Sequence, residues 1–310
     1  MIIHQNIYSI SCIINGVRPI SKELLSFFDA LKTNFKGNIS LFYTEYHGHA
    51  TEIARNCCKI QDHLIIAVGG DGTFNEVVNG VLMSEMPDTG ICLVPNGTGN
   101  DFSRAQEISF NEDIVLAAIK KPEFKHYDVG LITQNGSKKY FLNVMDAGFG
   151  GYATMLLDRQ RRQGLSGGLS YSLAILRTFF HFNKPDVTIS IDNKQYYTGK
   201  MMMIAVSNSK SFGNGLIIYP DSRPDDGLLG VTTLGNVTII DYLLHLSNLR
   251  KGRYIKHPDI LYATCSRLSI KIISGTAPIE ADGEVAGTGD VKIDVKIEVV
   301  PSAIRIMQYW

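Results

Sequence analysis

Residues 64–80 read Leu64-Ile-Ile-Ala-Val-Gly-Gly-Asp-Gly-Thr-Phe-Asn-Glu-Val-Val-Asn-Gly80, an apolar run that breaks into Gly69, Gly70, Asp71 and Gly72 and continues with helical spacing from Phe74 to Leu82. The pattern is a strand, a glycine turn and a helix. Glycines let the backbone turn sharply and approach a ligand closely, and the free N–H groups of a helix start attract phosphate. Asp71 places a carboxylate among those N–H groups, which suits a Mg²⁺ ion shared with phosphate oxygens, while Thr73 and Asn75 add polar groups. A Gly-Asp-Gly turn that binds nothing is the alternative. The loop is neither a Walker A motif, since no Gly-Lys-Ser/Thr follows, nor a GxGxxG dinucleotide fingerprint.

A second loop follows the next apolar run, Ile91-Cys-Leu-Val-Pro-Asn-Gly-Thr-Gly-Asn-Asp-Phe-Ser-Arg104. Pro95 ends the strand, Gly97 and Gly99 free the backbone, and Thr98, Asn100 and Asp101 can point into the same crevice at the carboxyl ends of the strands. The surrounding text alternates strand runs (Ile7 to Ile14, Ile39 to Tyr43, Leu64 to Val68, Ile91 to Val94) with helical ones (Lys22 to Phe35, Thr51 to Ile60, Phe74 to Leu82, Glu112 to Ile119). That alternation predicts βαβ units and a mostly parallel sheet.

After Asp128 the period changes. Val187, Ile189 and Ile191, and later Val291, Ile293, Val295, Ile297 and Val299, alternate with polar residues, as half-buried antiparallel strands do. An α/β lobe over 1–128 is therefore expected to precede a β-rich lobe over 129–302, with 303–310 packing back on the first. Two stretches in the second lobe read as helical, Tyr152 to Phe182 and Thr238 to Leu249. The first carries Arg159, Arg161, Arg162 and Arg177 among Leu156, Leu157, Leu165, Tyr171, Phe179 and Phe180, around a Gly164 to Gly168 break. It can rest on an anionic bilayer, or face the core with a solvated basic side. Asp282-Gly283-Glu284 reads as a hairpin turn between Pro278 to Ala281 and the alternating strand, and Asp226-Gly227 as another turn.

Composition narrows the class. The 310 residues are 45% hydrophobic and 19% charged, with 30 basic and 30 acidic side chains, which fits an ordinary globular chain and disfavours nucleic acid as a partner. No apolar run approaches the ~20 residues of a membrane span, and the N-terminus has no basic start with a small-residue cleavage site, so a cytoplasmic protein is expected. Cys12, Cys57, Cys58, Cys92 and Cys265 form no CxxC pair and are expected to be buried free thiols; zinc is not expected. His47 and His49 flank Gly48 at a helix start and are read as solvated or capping groups. Tyr309 and Trp310 are read as apolar packing.

Gly69-Gly-Asp-Gly-Thr-x-Asn-Glu-x-x-Asn-Gly80 together with Pro95-x-Gly-Thr-x-Asn-Asp-Phe-x-Arg104 resembles the catalytic domain of bacterial soluble diacylglycerol kinases, and sphingosine and ceramide kinases are similar in the same motifs. NAD kinases share the Gly-Gly-Asp-Gly-Thr core, but Asn75-Glu76 and the Gly97 to Asp101 loop point to the lipid branch. Thr44, His49 and Ala50, Tyr127 to Gly130, Asn143 to Gly150, Pro220 to Leu229 and Ala281 to Glu284 extend the resemblance along nearly the whole chain. It implies a Rossmann-like α/β lobe of the NAD-kinase and diacylglycerol-kinase type followed by an antiparallel β-sandwich lobe. It implies ATP and Mg²⁺, and a lipid substrate reached at a membrane surface by a peripheral protein. Glu284 would be the general base, Asp71 the organiser of Mg²⁺, residues 69–75 and Thr98 the phosphate contacts, and Thr44 a nucleotide contact. A second, structural metal found in some relatives would use the Arg223 carbonyl, the Asp226 carboxylate and the Leu228 carbonyl.

The chain departs from the family at the first phosphate-side loop, usually Asn-Pro-x-Ser/Ala-Gly, where Asn15-Gly-Val-Arg-Pro19 keeps Asn15, loses the following proline and puts Arg18 near the usual glycine. Gly213-Asn-Gly215 replaces a glycine triplet, and Ser222 replaces an alanine. A kinase of another lipid (sphingosine-like or phosphatidylglycerol), a kinase of a soluble metabolite such as NAD, and a non-catalytic nucleotide-binding regulator are the competing readings. Pairing of edge strands into a homodimer is left open.

Overall fold

The computed structural model describes residues 7–59, 61–162, 168–213, 215–290 and 294–309. The readings on Ile60, on 164–167 including Leu165, on Asn214, on Val291 to Ile293 and on Trp310 lie outside the described residues, as do the side chains of Arg161, Arg162 and Tyr171. The chain forms two compact units, Met1–Asp128 with Pro301–Trp310, and Val129–Val300.

In the first unit β1 (Ser9–Ile14), α1 (Lys22–Asn34), β2 (Asn38–Tyr43), α2 (His49–Cys57), β3 (His63–Gly69), α3 (Asp71–Leu82), β4 (Gly90–Pro95), α4 (Asp101–Ala105) and α5 (Glu112–Lys120) follow one another. The strands lie parallel in the order β2-β1-β3-β4, and Arg305 and Ile306 pair in parallel with Gly90 and Ile91 beyond β4. Every residue of β1 and β3 is buried, as expected of central parallel strands covered on both faces. Local chemistry sets the helices: α1 buries Leu24, Phe27, Phe28 and Leu31 at one-turn spacing, and the Ser21 side chain caps it by accepting from Leu24 N at 3.2 Å. Two differences from the sequence reading bear on the glycine loops. Helix α3 begins at Asp71 rather than Phe74, so the aspartate is its first residue, and α4 is a short helix where a loop is expected.

The chain leaves the first unit within β5 (Phe124–Gln134) and returns within the last strand, β18 (Asp294–Met307). Between them come β6 (Ser137–Phe141), β7 (Val144–Gly148), α6 (Phe149–Arg162), α7 (Gly168–His181), β8 (Asp186–Ile191), β9 (Lys194–Lys200), β10 (Met203–Ser207), the short β11 (Ser211–Phe212) and β12 (Leu216–Ile217), β13 (Leu229–Leu234), α8 (Ile239–Arg250), β14 (Ile260–Cys265), β15 (Arg267–Ser274), β16 (Ile279–Ala281) and β17 (Glu284–Gly287). One antiparallel sheet runs β14-β13-β10-β7-β16-β17, and a second layer pairs β18, β15, β8 and β9. Ile204 and Val206 of β10 face a core shared with Val187, Ile189, Ile270 and Ile297 of the second layer, whereas Met203 and Ala205 face Phe149, Ile175 and Phe179 of the helices. The unit is thus a sandwich with helices on its outer face.

Two sequence readings need correction here. The Asp282 hairpin joins β16 to β17, not to the alternating strand; beyond β17, Gly289 (φ 58°) accepts from Ala277 N at 2.9 Å, which ties that segment to the residues just before β16. The alternating strand pairs with β15 instead. Cys57 is only half-buried; the other cysteines are buried, and burial pushes Cys12 up to about 12.

Candidate active site

Parallel β1, β3 and β4 end level, so the segments that follow them emerge side by side. Asn15 N donates to Val68 O at 2.9 Å, Thr44 N to Ile14 O at 2.9 Å and Asn96 N to Gly69 O at 2.7 Å, which carries the ladder into the loops. The two glycine loops touch through main chain. A Cβ on Gly97 would lie 2.4 Å from the Gly70 Cα, and one on Gly70 would lie 3.1 Å from the Gly97 Cα. Only glycine permits that approach.

Side chains then cross-link the loops. Asn15 Nδ2 donates to Thr73 Oγ1 at 2.9 Å, and Gly16 N donates to Thr44 Oγ1 at 3.2 Å. Both terminal nitrogens of Arg18 reach Thr98 Oγ1, at 3.4 and 3.3 Å. The loop that departs from the family is therefore joined to both glycine loops. Asp71 Oδ1 accepts from Phe102 N at 3.2 Å, and Asp71 Oδ2 lies 3.0 Å from where a Cβ on Gly99 would stand. One carboxylate oxygen thus holds the start of α4 and the other faces the second glycine loop. Gly70 before α3 has no side chain to cap its helix, so that helix start presents main-chain donors at the crevice, whereas the start of α4 is met by the Asp71 carboxylate.

The structure brings Asn15, Thr44, Gly69, Gly70, Asp71, Gly72, Thr73 and Thr98 together at one edge of the sheet. Asn75 differs: it is buried one turn into α3, and its Oδ1 accepts from Asn79 Nδ2 at 3.0 Å. Glu76, given no role from sequence, caps α2. Its carboxylate accepts from Gly48 N at 2.8 Å and Ala50 N at 3.1 Å and sits 2.9 Å from His47 Nδ1, supplying the acceptor that Gly48 lacks. The signal was the adjacency of Glu76 to the glycine loop. His49 does serve a local role, stacking on Tyr46 and accepting from Glu45 N at 3.1 Å. Asp128 is buried and accepts from Ser302 N at 2.7 Å, and Asp101 lies 3.5 Å from Arg104.

In the second unit Glu284 opens β17, immediately after a turn in which Asp282 (φ 50°) and Gly283 (φ 84°) both adopt left-handed backbone. Asp282 anchors that turn. Its carboxylate accepts from Leu142 N at 2.7 Å, Asn143 N at 2.8 Å and Val144 N at 3.2 Å. Lys139 Nζ lies 3.1 Å from Glu284 Oε2, both side chains being partly buried. Beneath the turn, Asp146 and Glu280 stand opposite each other in the β7–β16 register, both buried, with Gly283 N donating to Glu280 Oε2 at 2.8 Å and Gly151 N to Asp146 Oδ1 at 2.9 Å. Burial pushes Asp146 up to about 6 and, with the neighbouring carboxylate, holds Glu280 well above its ordinary value. Asp226 Oδ1 accepts from Leu228 N at 3.0 Å, closing its own exposed turn beside Arg223 and Gly227 (φ 73°).

Among the described residues no helix is long and apolar enough to cross a membrane.

The diacylglycerol kinase catalytic domain model matches residues 13–132, and the YegS C-terminal NAD kinase beta sandwich-like domain model matches residues 143–308. A diacylglycerol kinase of Bacillus subtilis is 31% identical over 77% of each chain, and one of Staphylococcus haemolyticus is 28% identical over 80% of this chain and 73% of its own. A crystal structure of a diacylglycerol kinase from Bacillus anthracis superposes with a TM-score of 0.66 at 20% identity, covering 97% of this chain and 96% of that one. An NAD kinase from Archaeoglobus fulgidus in complex with ATP gives 0.53 at 11%, covering 97% and 94%. The last two likenesses speak to the fold, an α/β lobe followed by a β-sandwich. On the match of both family models and the identity to the Bacillus subtilis enzyme, the chain belongs to the diacylglycerol kinase family of lipid kinases.

Proposed function

We propose that this protein transfers the γ-phosphoryl of ATP to the hydroxyl of a diacylglycerol-like lipid. The observation that carries the reading is the crevice in which the Asn15, Gly69 and Gly97 loops are pinned together, with the Gly70 and Gly97 main chains in contact and the uncapped start of α3 beside them. Such a site suits triphosphate oxygens: main-chain donors of residues 69–73 face the anion, and Asn15, Thr73 and Thr98 add side-chain groups at its rim. The residues present also fit a divalent cation, because Asp71 is anchored by one oxygen and presents the other to the glycine loop. When bound there, Mg²⁺ would screen the charge of the phosphate oxygens.

A primary hydroxyl is barely acidic, so transfer is helped by a carboxylate that accepts its proton. Glu284 has that role in this reading. The hydroxyl oxygen bonds to the γ-phosphorus, the bond to the bridging oxygen breaks, ADP leaves and the proton passes to Glu284. Lys139 and the triply bonded Asp282 fix where that carboxylate stands.

The test is transfer of labelled γ-phosphate to diacylglycerol in mixed micelles, with sphingosine, ceramide, phosphatidylglycerol and NAD as competing acceptors. Phosphatidic acid as the main product supports the reading. NAD phosphorylated in preference to every lipid, or ATP bound with no acceptor used, would overturn it.

A further inference from the structure

Helix α8 is apolar on both of its faces. Tyr242 and Leu249 pack inward on the outer core of the second unit, yet Ile240, Leu243 and Leu244 stand 65%, 61% and 71% exposed. These three, Ser247, Arg250 and Lys251 recur at helical spacing and form one solvent-facing stripe that begins aliphatic and ends basic. Helix α7 repeats the device: Leu173, Leu176, Arg177 and Phe180 share a face, with Phe180 74% exposed, while Ala174 and Thr178 are buried. The helices meet through Phe179 and Tyr242, whose rings lie 5.7 Å apart, so the two stripes belong to one side of the unit.

Charge on this side is predominantly positive, with the exposed Asp221 beside it accepting from Tyr254 Oη at 2.8 Å. Residues 239–257 hold a single acid, Asp241, which is committed to the Thr238 cap and lies 3.8 Å from His257. Against it stand Arg250, Lys251, Arg253 and Lys256, all exposed and, among the described residues, in no ion pair. Residues 168–181 of α7 contain no acid at all. A twofold contact with a second copy would bring these cations against themselves. An anionic lipid surface complements both halves of the stripe, taking the aliphatic side chains at the acyl boundary and the guanidinium and ammonium groups at the headgroups.

We propose that the α7 and α8 stripes are the surface on which the second unit lies on an anionic bilayer. The proposal rests on the lipid-kinase reading for its purpose and on the exposed stripes for its location. It is tested by flotation of the full chain with vesicles of mixed phosphatidylglycerol and phosphatidylcholine, comparing wild type with an Ile240→Ser/Leu243→Ser/Leu244→Ser variant, a Phe180→Ser variant and an Arg250→Gln/Lys251→Gln variant, all verified as folded by circular dichroism. The expected result is at least about a tenfold loss of partition for the triple variant and a smaller loss for Phe180→Ser. The basic variant should lose about fivefold per charge, and only at low salt. Transfer to diacylglycerol in vesicles should fall with partition, while transfer to dispersed short-chain diacylglycerol persists. If no lipid is phosphorylated but the triple variant still loses vesicle binding, the docking surface is supported while the kinase reading fails. Wild type that does not float, a triple variant that floats as wild type does, or a wild-type dimer that the triple variant dissociates would overturn the proposal.

Discussion

The glycine crevice around Asp71 and the hairpin around Glu284 each hold a carboxylate in place, by different physical means. Around Asp71 the fixing is steric and main-chain: two loops touch at Gly70 and Gly97, and a single N–H bond from Phe102 orients the carboxylate. Around Glu284 it is electrostatic and buried: Asp282 takes three main-chain N–H groups, Lys139 sits 3.1 Å away, and the Asp146–Glu280 pair lies beneath. The first arrangement is sensitive to one added methyl at the loop contact. The second responds to protons through the buried Asp146–Glu280 pair.

The largest expected effect breaks the steric half. In Gly97→Ala the new Cβ would stand 2.4 Å from both the Asn100 Oδ1 and the Gly70 Cα, and while the side chain can yield the Gly70 main chain cannot, so the loops must part. ATP binding measured by calorimetry should weaken by about a hundredfold or more, on the scale of removing preorganised phosphate donors. Binding within threefold of wild type would show that the loop contact is incidental.

Next is Asp282→Ala, which strands the N–H groups of Leu142, Asn143 and Val144. Chemical denaturation should show a loss of about 3 kcal/mol, because the bonds are charge-assisted and only partly open to water. ATP affinity should be unchanged, which separates the two halves. A loss below about 0.5 kcal/mol would mean solvent replaces the carboxylate.

The smallest effect is a pH dependence confined to the second unit. Asp146 and Glu280 have folded-state pKa values raised above their unfolded ones, chiefly by burial. An acid raised in this way favours the folded state while both states are protonated and disfavours it as pH rises through the window between the unfolded and folded values. For Asp146 that window runs from 3.8 to about 6. Stability should therefore fall as pH rises from 4 toward 7, and Glu280→Gln should flatten the profile by about 1–3 kcal/mol, since its amide can donate to Asp146 and its oxygen can still accept from Gly283 N. A variant whose stability tracks pH as wild type does would remove the pair from the account.

The same contrast explains what the sequence discloses. The parallel lobe is legible because its signals are local: continuous apolar strands, amphipathic helices with Ser21 and Asn111 caps, and glycines directly after strands. The period-2 strands of the second lobe are legible for the same reason. The hairpin partner of β16 is not, because β17 is only four residues long and the longer alternation beyond it is the stronger strand signal. The contacts that matter most join residues far apart in the chain: Asn15 with Thr73, Glu76 with Gly48, and Asp282 with Leu142. Spacing shows only that such groups exist. The exposed stripe of α8 was equally hidden, since an apolar run does not reveal which of its faces is covered.

The central claim, that Asp71 and Glu284 divide one phosphoryl transfer between nucleotide and acceptor, is tested most directly by Glu284→Gln assayed twice, for ATP affinity and for single-turnover transfer to diacylglycerol. The account predicts ATP affinity within threefold of wild type and transfer reduced by about 10²- to 10⁴-fold, the range expected for loss of a general base. Transfer at the wild-type rate in Glu284→Gln would contradict it.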